Sequence, residues 1–347
     1  MAASDTTLRR ETFPSAWAVL AGYVMLIVAR LADSFVTNPH HATWLAVVFE
    51  LAIFVIPGWI CICLSPKRPT LSELLIRRPC ARNIIPCASA LVALICLAFL
   101  LTVLLCGDST AAGSFDLYNT FTVQINGGFW DNIRLILCYA LLPAVCEEVM
   151  FRGLVCRDYR TGGALRSVIM SSLLFGMLHL DLRLLPVYIV SGVVLCLLLY
   201  ATRSLAACIA VHLLYNIFGI YLQPYLTSFY VTTGSRALFV MLTAALMLAA
   251  AAVFCHAASK LYRSYATEES AAAEAGGEAV TPDTDTHPLS SDASESGLTG
   301  SPVTGYVSPG YPVGLTPEKQ LSLLYSSVVS IPFLLCVAVF IIGIILF

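Results

Sequence analysis

Charged side chains are scarce in this sequence of 347 residues. Asp, Glu, Lys and Arg make up 12% of it, whereas hydrophobic residues make up 59%. Soluble domains usually carry about 25% charged residues. The net charge of -2 at pH 7 also lacks the strong positive balance that nucleic-acid-binding proteins show. We therefore predict an integral membrane protein that has the lipid bilayer, and no nucleic acid, as a partner.

The 13 cysteines lack the pairing expected of a disulfide scaffold or a metal site. There is no Cys-x-x-Cys pair, and most of the cysteines stand singly inside apolar runs, where Cys behaves as a small hydrophobe. A short apolar core followed by a small-residue cleavage site is also missing near the N-terminus. We therefore expect the first apolar run to be a retained span and not a removed signal peptide.

Long apolar runs are what the sequence has in place of charge. A helix of about 20 apolar residues crosses a bilayer, and nine runs reach or approach that length. They cover about 16–36, 43–64, 84–106, 133–154, 164–182, 184–201, 204–222, 237–262 and 323–347. Because the lipid core leaves no water for open backbone groups, and because the alternation of a β-barrel is missing, the predicted fold is all-α. It is a polytopic transmembrane helical bundle with eight core spans and one further C-terminal span.

Basic residues are unevenly divided between the loops. The loop after the second span carries Lys67, Arg68 and Arg77, whereas residues 37–42 and 107–130 contain no Lys or Arg. Cytoplasmic loops are the ones enriched in Lys and Arg. This alternation predicts that the N-terminus is cytoplasmic.

Composition divides the chain into three parts. Residues 1–263 form the predicted transmembrane bundle. Residues 264–320 are acidic and rich in Ala, Gly, Ser, Thr and Pro, and such a segment buries too little apolar surface to fold, so we predict a disordered cytoplasmic linker. Residues 321–347 form the predicted C-terminal transmembrane helix, either an anchor or a helix that packs on the rim of the bundle.

A few ionisable and amide side chains interrupt the apolar runs. Such groups are costly in a membrane and mark functional sites by default. They are Glu147, Glu148 and Arg152 in the fourth run, His179 at the end of the fifth, and His212 with Asn216 in the seventh. Glu148 and Arg152 stand four residues apart and can pair on one helix face, which leaves Glu147, about 100° further round the helix, without a local partner. Together these groups supply a general base and polar side chains for an oxyanion or a metal.

Structural roles compete with these functional ones. The Glu148–Arg152 pair fits a structural ion pair, and the two histidines fit interfacial or interhelical contacts as well as they fit chemistry. Glu147 is the hardest to explain in this way, because an unpaired carboxylate in a membrane helix should be either neutral or held by a specific partner. It is therefore the leading candidate for a functional residue.

The three motifs, in this order, resemble those of the CPBP family of intramembrane proteases, which includes the bacterial Abi proteins and the eukaryotic CAAX prenyl endopeptidases. The family pattern is Glu-Glu-x-x-x-Arg, then Phe-x-x-x-His, then His-x-x-x-Asn or Asp. It is met at Glu147-Glu148 with Arg152, at Phe175 with His179, and at His212 with Asn216. Each motif alone is weak, and the resemblance covers about residues 130–222.

This resemblance implies an enzyme, an endopeptidase acting within or at the edge of the bilayer. Its substrate would be a membrane-associated or CAAX-like peptide or protein, with or without a prenyl group. By the same resemblance, Glu147 would activate the attacking water with help from His179, and His212 and Asn216 would polarise the scissile carbonyl. The supporting residues would be Glu148, Arg152 and Phe175.

A metal is one open question. Two histidines and a glutamate (Glu147, His179 and His212) could hold a divalent ion such as zinc and leave a position for water. The sequence lacks the His-Glu-x-x-His helix of many zinc proteases. Metal-free glutamate catalysis is therefore favoured, with no cofactor.

The depth of the site is a second question. Glu147 and His179 both lie toward the C-terminal ends of antiparallel spans, which would place them at different depths. They meet only if the fourth helix continues to about Tyr159 or if the fifth is short and tilted.

Two other functions remain open alternatives. One is a non-enzymatic bacteriocin-immunity or scaffolding membrane protein of the same fold. The other is a proton-coupled transporter, which the missing internal repeats disfavour. The short loops favour a bacterial plasma membrane, and the endoplasmic reticulum is the expectation for a eukaryotic enzyme.

Overall fold

The computed structural model of the protein describes residues 14–33, 39–65, 80–106, 127–160, 163–274 and 316–347. Every regular element within these ranges is a helix, as the sequence predicted. In the first half they are α1 (Pro14–Asp33), α2 (Pro39–Glu50), α3 (Ile56–Leu64), α4 (Ile84–Cys106), α5 (Phe129–Ile136), α6 (Leu142–Glu148) and α7 (Cys156–Tyr159). In the second half they are α8 (Ala164–Met177), α9 (Leu185–Thr202), α10 (Leu205–Tyr221), α11 (Gln223–Thr232), α12 (Arg236–Glu274), α13 (Pro317–Val328) and α14 (Ile331–Leu346).

Several of these helices are joined end to end by wider π-helical turns. The π-helix Leu51–Val55 joins α2 to α3, the π-helix Leu137–Leu141 joins α5 to α6, and the π-helix Val149–Val155 joins α6 to α7. A π turn adds a residue to the helical repeat and is often found at functional sites. Two of the three lie on the run that carries Glu147.

Five helices are long and apolar enough to cross a membrane, or up to seven if each of two bent pairs is one span. The five run over Pro14–Ala32, Trp44–Cys63, Ala81–Leu105, Leu185–Thr202 and Arg236–Tyr265. The bent pairs are α10 with α11, at 52°, and α13 with α14, at 53°. The protein is therefore an integral, multi-pass membrane protein, but the predicted count of eight spans plus one is not confirmed. The fourth run is not among these spans, and the fifth differs because α8 has only 14 residues.

The length of α8 explains how Glu147 and His179 reach the same depth. The fourth run stays helical as far as Tyr159, and α8 ends early, at Met177. At about 1.5 Å per residue, Glu147 lies about 18 Å along the helix from Tyr159, and His179 about 22 Å from Ala164. The two side chains therefore lie at a similar distance from the ends of their helices that face the same side of the bundle.

The core joins distant parts of the chain. One buried cluster contains residues of α1, α3, the π-helix Val149–Val155, α8 and α14. Phe151 packs edge-on against Phe54 on one side and against Phe175 on the other, with ring centroids 6.3 and 5.3 Å apart. The run that carries Glu147 is therefore held between the N-terminal helices and α8.

The boundaries of the predicted linker need correction. Helix α12 continues through Glu274, so the prediction that disorder begins at residue 264 is wrong for residues 264–274. This extension is rich in Ala and Glu, which are among the strongest helix formers. Helix α13 likewise begins at Pro317, inside the predicted linker. The rest of that prediction falls on residues 275–315, which lie outside the described ranges.

Close packing of α8 on α9 depends on Gly192. A Cβ atom at this position would lie 2.9 Å from Cα and Cβ of Ser172, which is a contact with the neighbouring backbone. At Gly219, on α10, the nearest atom to an added Cβ would be Gln223 Oε1 at 3.6 Å, an ordinary contact. These two glycines therefore form a matched pair for a stability measurement.

We expect Gly192→Ala to lower the free energy of unfolding by about 1–3 kcal/mol, because α8 and α9 must separate. We expect Gly219→Ala to be neutral or to stabilise by about 0.5–1 kcal/mol through its better helix propensity. Thermal unfolding of the detergent-solubilised variants, followed by tryptophan fluorescence, measures both. Equal melting points for the two variants would contradict the close α8–α9 contact.

Candidate active site

The four side chains proposed for chemistry line one cavity of about 1200 Å³. Glu147 reaches it from α6, His179 from the turn after α8, and His212 and Asn216 from α10. Three segments that are distant in sequence thus bring a carboxylate, two imidazoles and a carboxamide to one space.

The two neighbouring glutamates lie where an α-helix changes to a π-helix, and their side chains differ in burial. Glu147 and Glu148 are the last residues of α6, and the π-helix Val149–Val155 begins immediately after them. The Glu148 side chain is completely buried, whereas that of Glu147 is 13% exposed. The Phe151 carbonyl accepts the backbone N–H of Cys156 within the helix and a second hydrogen bond from Ser171 Oγ on α8, at 3.1 Å.

Arg152 links the buried Glu148 to two further helices. Its Nη1 donates to Glu148 Oε1 at 2.9 Å, as the four-residue spacing predicted. Its Nη2 donates to the Gly192 carbonyl on α9 at 3.3 Å. The guanidinium carbon lies 4.5 Å from the centre of the Phe175 ring. Phe175, expected as a supporting residue, therefore provides a cation–π contact from α8.

His212 lies between the two glutamates. Its Nδ1 is 2.8 Å from Glu148 Oε1, and its Nε2 is 3.8 Å from Glu147 Oε2. An ionised carboxylate only accepts hydrogen bonds, so Nδ1 is the donor to Glu148 and the ring plane is fixed. Glu147 therefore has a nearby partner on another helix, although its Oε2 is buried and makes no hydrogen bond with the described residues.

His179 is held by its own turn and by an aromatic ring. Its Nδ1 is 3.1 Å from the Phe175 carbonyl, and its ring stacks on Tyr188 with centroids 3.8 Å apart and planes 14° from parallel. This arrangement leaves Nε2 as the nitrogen available for chemistry. The adjacent Asp181 does not hydrogen-bond to it in the described structure. Asp181 Oδ1 instead accepts the backbone N–H groups of Arg183 and Leu184 at the start of α9, at 2.9 and 3.0 Å.

Asn216 is anchored to the run that carries Glu147. Its Nδ2 donates to the Ala140 carbonyl, at 3.3 Å, and Ala140 lies in the π-helix Leu137–Leu141. A carboxamide nitrogen carries two N–H donors. One is engaged by Ala140, and the second remains for a ligand in the cavity.

Further side chains that line the cavity were not found from the sequence, among them Arg30 on α1, Glu50 at the end of α2, and Tyr188 on α9. Glu50 carried a usable signal, because it is the only Asp, Glu, Lys, Arg or His within 43–64. Its Oε1 is buried and has no hydrogen bond with the described residues. Tyr188 carried no such signal, since an isolated aromatic residue in an apolar helix is common.

The three side chains considered for zinc do not form a metal-binding cluster. Within the described ranges, no group of three or more His, Cys, Asp or Glu side chains is arranged to hold a metal ion. What the arrangement does provide is a carboxylate facing a cavity, with imidazole and amide nitrogens around it. A carboxylate beside hydrogen-bond donors is able to activate water and to stabilise an oxyanion.

Comparison with known proteins finds a family match for one region of the chain. Residues 129–218 match the family described as Type II CAAX prenyl endopeptidase Rce1-like. The match includes all seven motif residues and leaves α1 to α4 and everything after Phe218 outside it. No curated protein and no solved structure gives a significant match to the chain.

The two adjacent glutamates predict opposite effects on stability. Glu148→Gln leaves the buried guanidinium of Arg152 without its counter-ion, so we expect a loss of about 3–5 kcal/mol in the free energy of unfolding. Glu147→Gln replaces a carboxyl group whose buried Oε2 makes no hydrogen bond with the described residues, so we expect its melting point to equal or exceed that of the wild type. Thermal unfolding of both variants in the same detergent measures the difference. A stable Glu148→Gln variant would show that the ion pair is dispensable.

Proposed function

We propose, from the Rce1-like type II CAAX prenyl endopeptidase domain that the chain carries at residues 129–218, that this membrane protein is an intramembrane endopeptidase. It hydrolyses a peptide bond in a membrane-associated or CAAX-like peptide or protein. The observation that carries the proposal is the shared cavity, in which Glu147, His179, His212 and Asn216 meet although they come from three segments that are distant in sequence.

The proposed reaction begins with a water molecule held by Glu147 and His179. Glu147 takes a proton from the water as its oxygen attacks the scissile carbonyl carbon, and a tetrahedral oxyanion forms. His212 acts in its doubly protonated form, in which Nε2–H donates to the oxyanion, and the free amide N–H of Asn216 is the second donor. The proton on Glu147 then passes to the leaving nitrogen, and the C–N bond breaks.

Glu148, Arg152 and Phe175 act indirectly in this proposal. Glu148 receives the Nδ1–H of His212 at 2.8 Å, and Arg152 neutralises Glu148 at 2.9 Å. Side chains held in this way restrict the His212 ring to one orientation. Fixed donors stabilise an oxyanion better than mobile ones, because no reorganisation is needed at the moment of reaction.

The part of the cavity wall formed by α4 suits an apolar substrate. All the α4 residues that line it carry apolar side chains, with the exception of one threonine. They are Leu94, Ile95, Ala98, Phe99 and Val103, with Thr102. Such a surface fits a prenyl chain or the apolar side chains of a CAAX-like sequence. An active site within the membrane also suits such a substrate, because prenyl groups insert into membranes.

Cleavage of a farnesylated, fluorogenic CAAX peptide by the purified full-length protein tests the proposal. We expect the wild type to cleave it and Glu147→Gln to lose at least about 100-fold in rate, because the amide cannot accept a proton. Glu318→Gln, an exposed substitution at the start of α13, is the matched control, and its rate should stay within about twofold of the wild type. Equal rates for wild type and Glu147→Gln would refute the glutamate mechanism. A wild type that cleaves neither this peptide nor its unprenylated form would favour a scaffolding role.

Addition of a chelator to the same assay tests the metal-free mechanism. We expect EDTA and 1,10-phenanthroline to leave the wild-type rate unchanged, because the proposed base and donors are all protein groups. A loss of activity that zinc restores would instead assign Glu147, His179 and His212 to a metal.

A further inference from the structure

We propose that the helix pair α13–α14 is a working part of this active site, in which α14 positions the turn that carries His179 and walls the cavity beside it. The inference rests on the proposed function. It concerns a segment that lies outside the family match, which ends at residue 218. The sequence suggested only an anchor or a rim helix for this segment.

The pair is fixed to the bundle by buried contacts. Arg166 Nε, on α8, donates to Ser327 Oγ, on α13, at 2.6 Å, and both residues are completely buried. On α14, Cys336 is completely buried, and its Sγ lies 3.8 Å from the Ala16 carbonyl on α1. A lipid-surrounded anchor would not bury an arginine of the bundle against its own serine. The pair is therefore packed between α1 and α8.

The turn after α8 has an unusual backbone. His179 N and Leu180 N donate to the carbonyls of Gly176 and Met177, at 3.3 and 3.2 Å. Leu180 then adopts a φ of 50°, in the left-handed region that L-residues other than Gly, Asn and Asp rarely occupy. Such a conformation persists only when the surroundings enforce it, and it tends to occur at functional sites. Here it lies directly beside His179.

Helix α14 supplies the enforcing contact. A Cβ atom added at Gly343 would lie 2.7 Å from Leu180 Cδ2 and 3.2 Å from Cδ1. The Leu180 side chain therefore occupies the notch that the missing side chain of Gly343 leaves. Glycine is otherwise unfavourable within a helix, and the close approach of Leu180 explains its presence.

The same end of α14 reaches the cavity. Ile344 and Phe347 line it together with His179, Leu180 and Tyr188. Leu180 thus contacts α14 through its side chain, and its backbone is bonded directly to that of His179. A displacement of α14 is passed through Leu180 to the proposed catalytic imidazole.

The decisive variant is Gly343→Val in the full-length protein, compared with Ala338→Val on an exposed position of the same helix. Both changes replace one small residue by valine, but only the first fills the notch at Gly343 that Leu180 occupies. We expect Gly343→Val to lower kcat on the farnesylated peptide by about tenfold or more, because small misplacements of catalytic groups are costly. We expect Ala338→Val to remain within about twofold of the wild type.

A rescue experiment separates positioning from loss of folding. Leu180→Ala shortens the side chain that a valine introduced on α14 would strike, so the double variant Gly343→Val with Leu180→Ala should recover at least part of the lost kcat. Contacting residues show such non-additive effects, whereas distant ones add. Strict additivity of the two changes would overturn the proposed contact, as would a Gly343→Val variant with wild-type kcat.

Hydrogen exchange provides a readout that needs no activity. We expect Gly343→Val, and not Ala338→Val, to speed exchange of the amides in 176–184 while the rest of α8 stays protected. Unchanged exchange in this turn would overturn the inference. If the wild type does not cleave the peptide, the proposed function fails, but the exchange result still decides whether α14 holds the turn.

Discussion

A single buried oxygen atom, Oε1 of Glu148, holds the site together. It accepts hydrogen bonds from Arg152 Nη1 and from His212 Nδ1, so it joins the run carrying both glutamates to α10. Arg152 extends the connection to the Gly192 carbonyl on α9 and to the Phe175 ring on α8. In a medium that screens charge poorly, this ion pair is strong only because each charge has a fixed partner. The network thereby connects the run that carries both glutamates to α8, α9 and α10.

The network also explains why two adjacent glutamates differ. Glu148 is engaged by Arg152 and by the ring of His212, and its side chain is closed to the cavity. Glu147 is the preceding residue on the helix, so the same rigid element directs it toward the cavity, close to His212 Nε2. Its Oε2 has no hydrogen bond among the described residues. Oε2 of Glu148 also lacks a hydrogen bond among the described residues, so the two differ in the engaged Oε1 of Glu148 and in the cavity, which only Glu147 lines.

Sequence reasoning succeeded where a relationship is local or where a motif carries it. The Glu148–Arg152 pair followed from helical spacing, and the three motifs marked side chains that do share a cavity. It failed where the deciding contact comes from elsewhere in the chain. The hydrogen bond from His212 to Glu148 depends on how α10 packs, which no spacing encodes. The count of nine predicted spans fails for a similar reason, because the length of an apolar run does not reveal a bend or an early helix end.

Two other misses have different causes. Glu50 could have been found, because a lone carboxylate in an apolar helix indicates a functional site. It was missed because it belongs to none of the three motifs. The notch at Gly343 could not have been found, because a glycine in an apolar helix gains meaning only when Leu180 is seen against it. The start of the linker was misjudged because Ala- and Glu-rich sequence is compatible both with disorder and with continuation of α12.

The shortness of α8 has a consequence for the surrounding membrane. A helix of 14 residues covers about 21 Å, against a hydrocarbon core of about 30 Å. A segment of this length that begins at one surface of the hydrocarbon core would therefore place the polar turn that follows, with Asp181 and Arg183, about 9 Å short of the other surface. Irregular backbone at such depth is tolerated only beside protein or water, and lipids next to a short segment thin to match it. A proposed hydrolase consumes water as its second reactant, and a thinner bilayer above this turn would give that water a short path to the site.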